Sequence, residues 1–255
     1  MKFFKKTLAA AALTAALATS AQAAMINVGG VIWDPSSILD FNGTSATLTQ
    51  SIAANGTLSG FGVVTTLNGN GVGVFCPGCE VTIQYGGFTP IGGALLPLAG
   101  GTGAAINYTG GWLNIFVDHT PDASATNPLL LDNTNTGDGA LWLSLTGHNV
   151  GGVSLTGFNF SSMGFLAGQG LLDVTGGLAG GNIDTNTKAD GADLAFTSTF
   201  TNLVFANIPQ VGRVPVWSSG SATFNGDSIP EPATLALIGL GLLGAGALRR
   251  RQVGK

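Results

Sequence analysis

Positive charge is almost missing from the middle of this 255-residue chain. Between Ala24 and Ser228 only Lys188 and Arg213 are basic, against twelve aspartates and glutamates, because seven of the nine lysines and arginines stand at the two ends. Phosphate recognition needs clustered Lys and Arg, so this balance argues against a nucleic-acid partner. Histidine is limited to His119 and His148 and cysteine to Cys76 and Cys79, so a four-ligand zinc site built on the cysteines could add nitrogen only from those two histidines. A G-x-S-x-G nucleophile elbow does not occur. Asp118 and Asp122 could orient His119 as a base, but no serine is marked as its nucleophile, and the histidine reads as a loop residue beside an aspartate. His148, in Gly147-His148-Asn149, reads as a turn residue. With no nucleophile, metal or acid/base constellation, an enzyme is the least supported class. Capped helical periodicity is also lacking between Ala24 and Ser228.

What the middle does have is 41 glycines across the chain together with aromatic and β-branched residues, a mixture that disordered chains do not show. Short alternating runs recur between Gly, Asn, Asp and Pro. In Glu80-Val81-Thr82-Ile83-Gln84-Tyr85, Val81, Ile83 and Tyr85 share one face; in Leu141-Trp142-Leu143-Ser144-Leu145-Thr146, the leucines do the same. Further strands are expected at Ala46–Ile52, Leu58–Leu67, Leu113–Val117, Val153–Phe158, Leu194–Phe200, Leu203–Phe205, Val211–Val216 and Ser221–Phe224. About ten short strands at this spacing predict an all-β body, an antiparallel β-sandwich of jelly-roll type. Echoes such as Asn42-Gly43-Thr44 and Asn55-Gly56-Thr57 do not continue at a fixed interval, which weighs against a solenoid.

The ends read as addresses. Lys2, Lys5 and Lys6, the apolar Leu8–Ala18 and the small-residue site Ala21-Gln22-Ala23 make a secretory signal peptide and signal helix over residues 1–23, to be handled by the Sec export machinery. Residues 24–228 are then the β-rich exported domain. Residues 229–255 hold Pro230-Glu231-Pro232, sixteen apolar or small residues from Ala233 to Leu248 broken only by Thr234, and Arg249, Arg250 and Arg251. A run of that length is a short transmembrane helix, below the roughly 20 residues that cross a bilayer without tilt or thinning. The arginines place its end on the cytoplasmic side. Gly239-Leu240-Gly241-Leu242-Leu243-Gly244 matches G-x-G-x-x-G but lacks the βαβ context and the later acidic residue, so it is read as helix-packing glycine.

The triplet, short apolar helix and arginine cluster resemble the PEP-CTERM sorting signal of exported proteins in Gram-negative bacteria. The resemblance covers about a tenth of the chain. It implies recognition of Pro230, Glu231 and Pro232 by an exosortase, transient anchoring in the inner membrane, cleavage near the triplet, and delivery to the cell surface or extracellular matrix with its exopolysaccharide. A plain tail anchor that keeps its helix fits the same spacing. The element Phe75 to Gly87, with its Phe-Cys-x-x-Cys-Glu start, is also similar to one in other proteins of this kind.

Other candidate sites lie in the body. Cys76-Pro77-Gly78-Cys79 places turn residues between two cysteines in an exported chain, which predicts a hairpin tip pinched by a structural disulfide rather than a redox pair. Asp132-Asn133-Thr134-Asn135-Thr136-Gly137-Asp138 follows part of a calcium loop, with Asp132 and Asp138 as ligands but Leu143 where the bidentate Glu belongs. A second calcium candidate, at Asp184–Asp193, offers Asp184, Asn186, Asp190 and Asp193 around Lys188. Asn, Asp, Thr and Gly are equally the ordinary material of turns. Four tryptophans, Trp33, Trp112, Trp142 and Trp217, could fill the core or stack on sugars. Trp142, set by alternation opposite the leucines, is the candidate sugar platform. The expected function is a non-catalytic, sorted surface or matrix protein, without a resident cofactor unless calcium. A carbohydrate- or calcium-binding lectin-like module is the alternative, and ice binding a weaker one, since its Thr-x-Thr pairs are scattered.

Overall fold

The computed structural model describes residues 25–93, 105–160, 165–208 and 212–229. The expected signal peptide, tail helix and sorting residues Pro230, Glu231, Pro232, Arg249, Arg250 and Arg251 lie outside these. No helix among the described residues is long and apolar enough to cross a membrane.

The strands are β1 (Ile26–Val28), β2 (Val31–Trp33), β3 (Phe41–Ile52), β4 (Leu58–Leu67), β5 (Asn70–Gly71), β6 (Glu80–Pro90), β7 (Ala105–Asp118), β8 (Ala140–Gly147), β9 (Leu155–Phe160), β10 (Phe165–Gly176), β11 (Leu194–Ile208) and β12 (Gly212–Gly226). β3, β4, β6, β7, β8, β10, β11 and β12 pair in that order, all antiparallel, and β12 pairs back onto β3. The body is therefore a closed eight-stranded up-and-down barrel, not the expected sandwich. Two features of the strands explain the difference. Runs that read as separate short strands are continuous: β11 and β12 pair over their whole lengths from Leu194↔Gly226 to Ile208↔Gly212. And a meander of long twisted strands removes its two edges by pairing the last strand with the first.

β8 and β9 share one slot. β8 pairs with Trp112–Val117 of β7 and Leu172–Gly176 of β10, while β9 pairs with Ala105–Tyr108 and Phe165–Gly170 of the same strands. They are one strand interrupted by an outward excursion at Gly147–Ser154, closed by a Val150–Val153 bridge.

The barrel interior is apolar and full, as expected of eight strands. Phe41, Leu48, Ile83, Ile115, Leu143, Leu145, Phe200 and Phe224 are buried there, each side chain of this kind contributing about 1.5–3 kcal/mol. Glycines face the largest groups. A Cβ on Gly43 would lie 1.9 Å from the Phe224 ring, one on Gly220 2.4 Å from Phe200, and one on Gly60 2.5 Å from Tyr85 Oη. Tyr85 satisfies its hydroxyl by donating to Thr49 O at 2.8 Å. Burial holds the Tyr85 phenol far above its ordinary range and pushes Tyr108 up to about 12. Outside, hydroxyl pairs such as Ser51–Ser59 and Thr199–Ser221 cross between strands. That polarity is the reverse of a lipid-facing barrel, whose apolar band points outward.

One end of the barrel carries the β1–β2 hairpin, the segments 34–40, 68–79, 119–139 and 177–193, and the chain exit at 227–229. The hairpin turns through Gly29 and Gly30, both at positive φ (60° and 92°), and plugs this end. Trp142 Nε1 donates to Val28 O at 2.9 Å, and Trp33, Phe41 and Trp142 meet with ring centroids 5.8–6.0 Å apart.

Trp142 is thus core, only 2% exposed, and is not a sugar platform. The physical reason is a bulge: Ile115 pairs with Leu143 and Phe116 with Leu141, leaving Trp142 unpaired and turned inward while Leu141 is exposed. The cysteine element also differs from its expectation. Cys76 and Cys79 form a disulfide with Cα atoms 5.2 Å apart. They follow a single helical turn, Val72–Phe75, rather than the first strand of a hairpin, and both are buried.

Candidate functional site

Two features dominate the plugged end, and the first is the way the chain leaves it. Past β12, Asp227 receives Lys188 Nζ at 3.1 Å and the Thr187 hydroxyl. The Thr187 bond first, and Lys188 with it, hold the Asp227 carboxyl below its usual value. Ser228 donates its amide to Asp40 Oδ2 at 2.8 Å and its hydroxyl to Asp40 Oδ1 at 2.5 Å, and accepts from Trp33 Nε1 at 3.0 Å. Ile229 donates its amide to Asn182 O at 2.7 Å, and Asn182 Nδ2 returns a bond to Ile229 O at 3.3 Å. Three consecutive residues are therefore fixed by three separate segments, the β1–β2 hairpin, 34–40 and 177–193. Asp40 itself sits at φ 46° at the end of a turn, and its carbonyl accepts from Asn68 Nδ2.

The second feature is acidic. Oxygens of Glu80, Asp118 and Asp122 come within 4.8 Å of one another, close enough to hold one cation. Glu80 is only 6% exposed. Its Oε1 accepts from the amides of Asp122 (3.0 Å) and Ala123 (3.2 Å), and its Oε2 from Ala123 at 3.1 Å. Burial raises the Glu80 pKa against those two amides, with Asp122 and Asp118 adding to the rise. Asp122 is raised as well, by desolvation first and then by Asp138, Asp118 and Asp132. Asp118 is engaged with Thr120, which donates from both amide and hydroxyl.

Glu80 belongs to a row of three outward side chains that grip the 119–139 segment. Thr82 Oγ1 donates to Thr136 O at 2.8 Å and Gln84 Nε2 to Thr136 Oγ1 at 3.2 Å. The polar face of β6, which alternation marks as solvent-facing, instead holds a loop.

The six calcium candidates are not part of the carboxylate group. Asp132 Oδ1 accepts from Thr134 amide and hydroxyl at 2.7 and 2.6 Å, and the hydroxyl bond chiefly lowers its pKa. Asn135 and Thr136 close the same loop onto Asp132 backbone. Asp138 acts on Asp122 only through charge. In the second loop, Asp193 is 2% exposed, and its carboxylate takes the amides of Thr185, Asn186 and Val174, each at 2.7 Å. Asp184 accepts from Asn186 Nδ2 at 3.2 Å, and Asn186 and Asp190 take positive φ. Asp132, Asp184 and Asp193 are thus engaged in fastening their own loops.

His119 Nε2 lies 3.2 Å from Gly29 O, and His148 Nδ1 lies 2.7 Å from Asp173 Oδ1. His148 borders an open groove of about 520 Å³ at the strand interruption, with Asn107, Thr156, Gln169 and Thr197 on its walls and Leu171 and Ala195 among its apolar lining. Sequence reasoning missed the Asp40–Ser228–Trp33 junction and the buried Glu80. No local signal marks the first, whose partners are far apart in the chain. For Glu80, an acidic residue beginning an apolar strand directly after a cysteine was the available hint.

The PEP-CTERM protein-sorting motif matches residues 228–251, beginning at the fastened Ser228. No curated protein and no solved structure is similar enough to the chain to be matched.

Proposed function

We propose that this protein, which carries a PEP-CTERM sorting motif, is a non-catalytic cell-surface or extracellular-matrix protein of a Gram-negative bacterium, delivered by exosortase. The observation that carries the reading is the motif at residues 228–251, which starts two residues after the last barrel strand. In this reading the chain is a substrate of the sorting machinery. Export removes residues 1–23, the apolar run Ala233–Leu248 retains the chain in the inner membrane, the peptidase acts near Pro230–Pro232, and the barrel is the cargo. The acidic body is compatible with a hydrated matrix and not with a polyanionic nucleic acid. The intact mass of the protein recovered from outside the cell tests it. A chain lacking both the first 23 residues and the part following the triplet is expected; a full-length chain found in the cytosol overturns it.

A second reading, binding of neutral polysaccharide, rests on the groove at the strand interruption, whose amides and hydroxyls could hydrogen-bond sugar hydroxyls. Trp112, 41% exposed, lies against Gly86 and Gly87, outside the groove lining, and among the described residues is an exposed tryptophan able to stack. Retardation in gels containing neutral glucans, lost in Trp112→Ala and in Gln169→Ala, would support it; unchanged mobility would remove it.

A further inference from the structure

The position of the exit restricts how the barrel can stand on a membrane. Ile229 is fixed to Asn182, and the apolar run begins at Ala233. The covalent chain between them reaches at most about 14 Å, even fully extended. β11, with fifteen residues, measures roughly 50 Å along its axis. Whenever the run is in a bilayer, the plugged end is therefore the near end.

The segments that grip the exit also present apolar side chains to the outside. Ser37 to Asp40 form a turn closed by Asp40 N donating to Ser37 O at 3.0 Å, with Ile38 and Leu39 at its centre. Turn centres are ordinarily Gly, Pro, Asn, Asp or Ser. Here Ile38 is fully exposed and Leu39 about half so. The turn is rigid, held on one side by Asp34 accepting from Ser36 amide and hydroxyl and on the other by Asn68 on Asp40 and Ser37. Asp40 then binds Ser228 directly, so a single residue separates the apolar tip from the tail anchor point. Leu178, on the segment that supplies Asn182, and Ile229 itself are exposed too.

We infer that this end of the barrel rests on the bilayer surface, with Ile38, Leu39, Leu178 and Ile229 in the headgroup layer beside the point where the tail enters. The inference depends on the tail being membrane-inserted, as proposed above. Apolar side chains at such a tip lose their contact with water on touching the acyl boundary. Asp34, Asp40 and Asp227 in the same neighbourhood lie against Ser36, Ser228, Thr187 and Lys188, so the surface suits a zwitterionic lipid better than an anionic one.

The experiment uses the chain from Ala24 to Lys255 reconstituted with phosphatidylcholine vesicles carrying brominated acyl chains. Ile38→Trp is compared with Ala54→Trp, placed in the β3–β4 turn at the opposite end, both sites being exposed in the fold. Relative to unbrominated vesicles, the added fluorescence of I38W should fall at least twofold and that of A54W should not change. If the chain floats with the vesicles but I38W is not quenched, the end does not touch the bilayer and the inference fails while the tail reading stands. Failure of the chain to float removes the tail reading and the inference with it.

Discussion

Asp40 and Ser228 are 188 positions apart in the chain and share two hydrogen bonds, amide and hydroxyl to opposite oxygens of one carboxylate. This contact joins the start of the first barrel strand to the first residue of the sorting motif. Closing the barrel and fixing residues 227–229 at its end are consequently coupled. Asp40→Ala should cost about 1.5–3 kcal/mol, the range for hydrogen bonds to a charged group, lowering Tm by roughly 3–12 °C for a body of this size. Hydrogen exchange at Ser228 and Ile229 should accelerate in parallel. Unchanged exchange there would mean that the carboxylate does not hold the exit.

Gly60→Ala tests the interior. The new methyl would stand 2.0 Å from Thr49 O and 2.5 Å from Tyr85 Oη, so backbone or ring must move, at about 1–3 kcal/mol or more. Gly73→Ala, which meets nothing within 4 Å and lies in a helical turn, is the control and should be neutral or slightly stabilising. Urea midpoints of the two variants compared with the parent decide it.

Two carboxylates should give opposite responses to pH. Asp227 has a lowered pKa in the fold, so its contribution is complete above the ordinary value of 3.8 and disappears as pH falls through the folded value. The advantage of the parent over Asp227→Asn should therefore shrink in acid. Glu80 is raised: the fold holds its proton more tightly than the unfolded chain does. It costs nothing below 4.5 and opposes folding increasingly as pH rises through the window between 4.5 and the folded value. Relative to the parent, Glu80→Gln should gain stability between pH 4 and pH 7, whatever its offset from lost amide contacts. Melting both variants across that interval is sufficient, and parallel curves would contradict the assignment.

Reduction of Cys76–Cys79 should have a small effect. The bridge closes a loop with a sequence separation of 3, and the chain-entropy account gives about 2 kcal/mol for so short a loop. A loss of much more than that on treatment with dithiothreitol would show that the bridge positions Glu80 and the gripped 119–139 segment as well.

Local pattern was readable in the sequence; closure was not. Val81, Ile83 and Tyr85 lie on the inner face, where strict alternation put them, because nothing interrupts β6 there. Trp142 broke the same rule through a single unpaired residue, which no propensity announces. β10 escaped notice since Gly168 and Gly170 alternate with Leu166 and Leu172, so the inward row contains no apolar side chain at half its positions. Sandwich and barrel can be built from the same strands and differ in which of them meet, and the closing pair here, β12 on β3, joins opposite ends of the sequence. The tail motif was legible because its information is local and compositional. Its fastening through Asp40, Trp33 and Asn182 was not, being a product of the finished ring.

That ring also dictates the order of assembly. Phe41 pairs with Gly226, so the seam cannot be sewn until nearly all of the body has been synthesised, and until then β3 and β11 remain as two open borders. Contacts of such separation form slowly, and unpaired borders recruit other chains. A chain cut short before Gly212 would lack one of the eight staves and be a sticky open trough rather than a smaller version of the same protein.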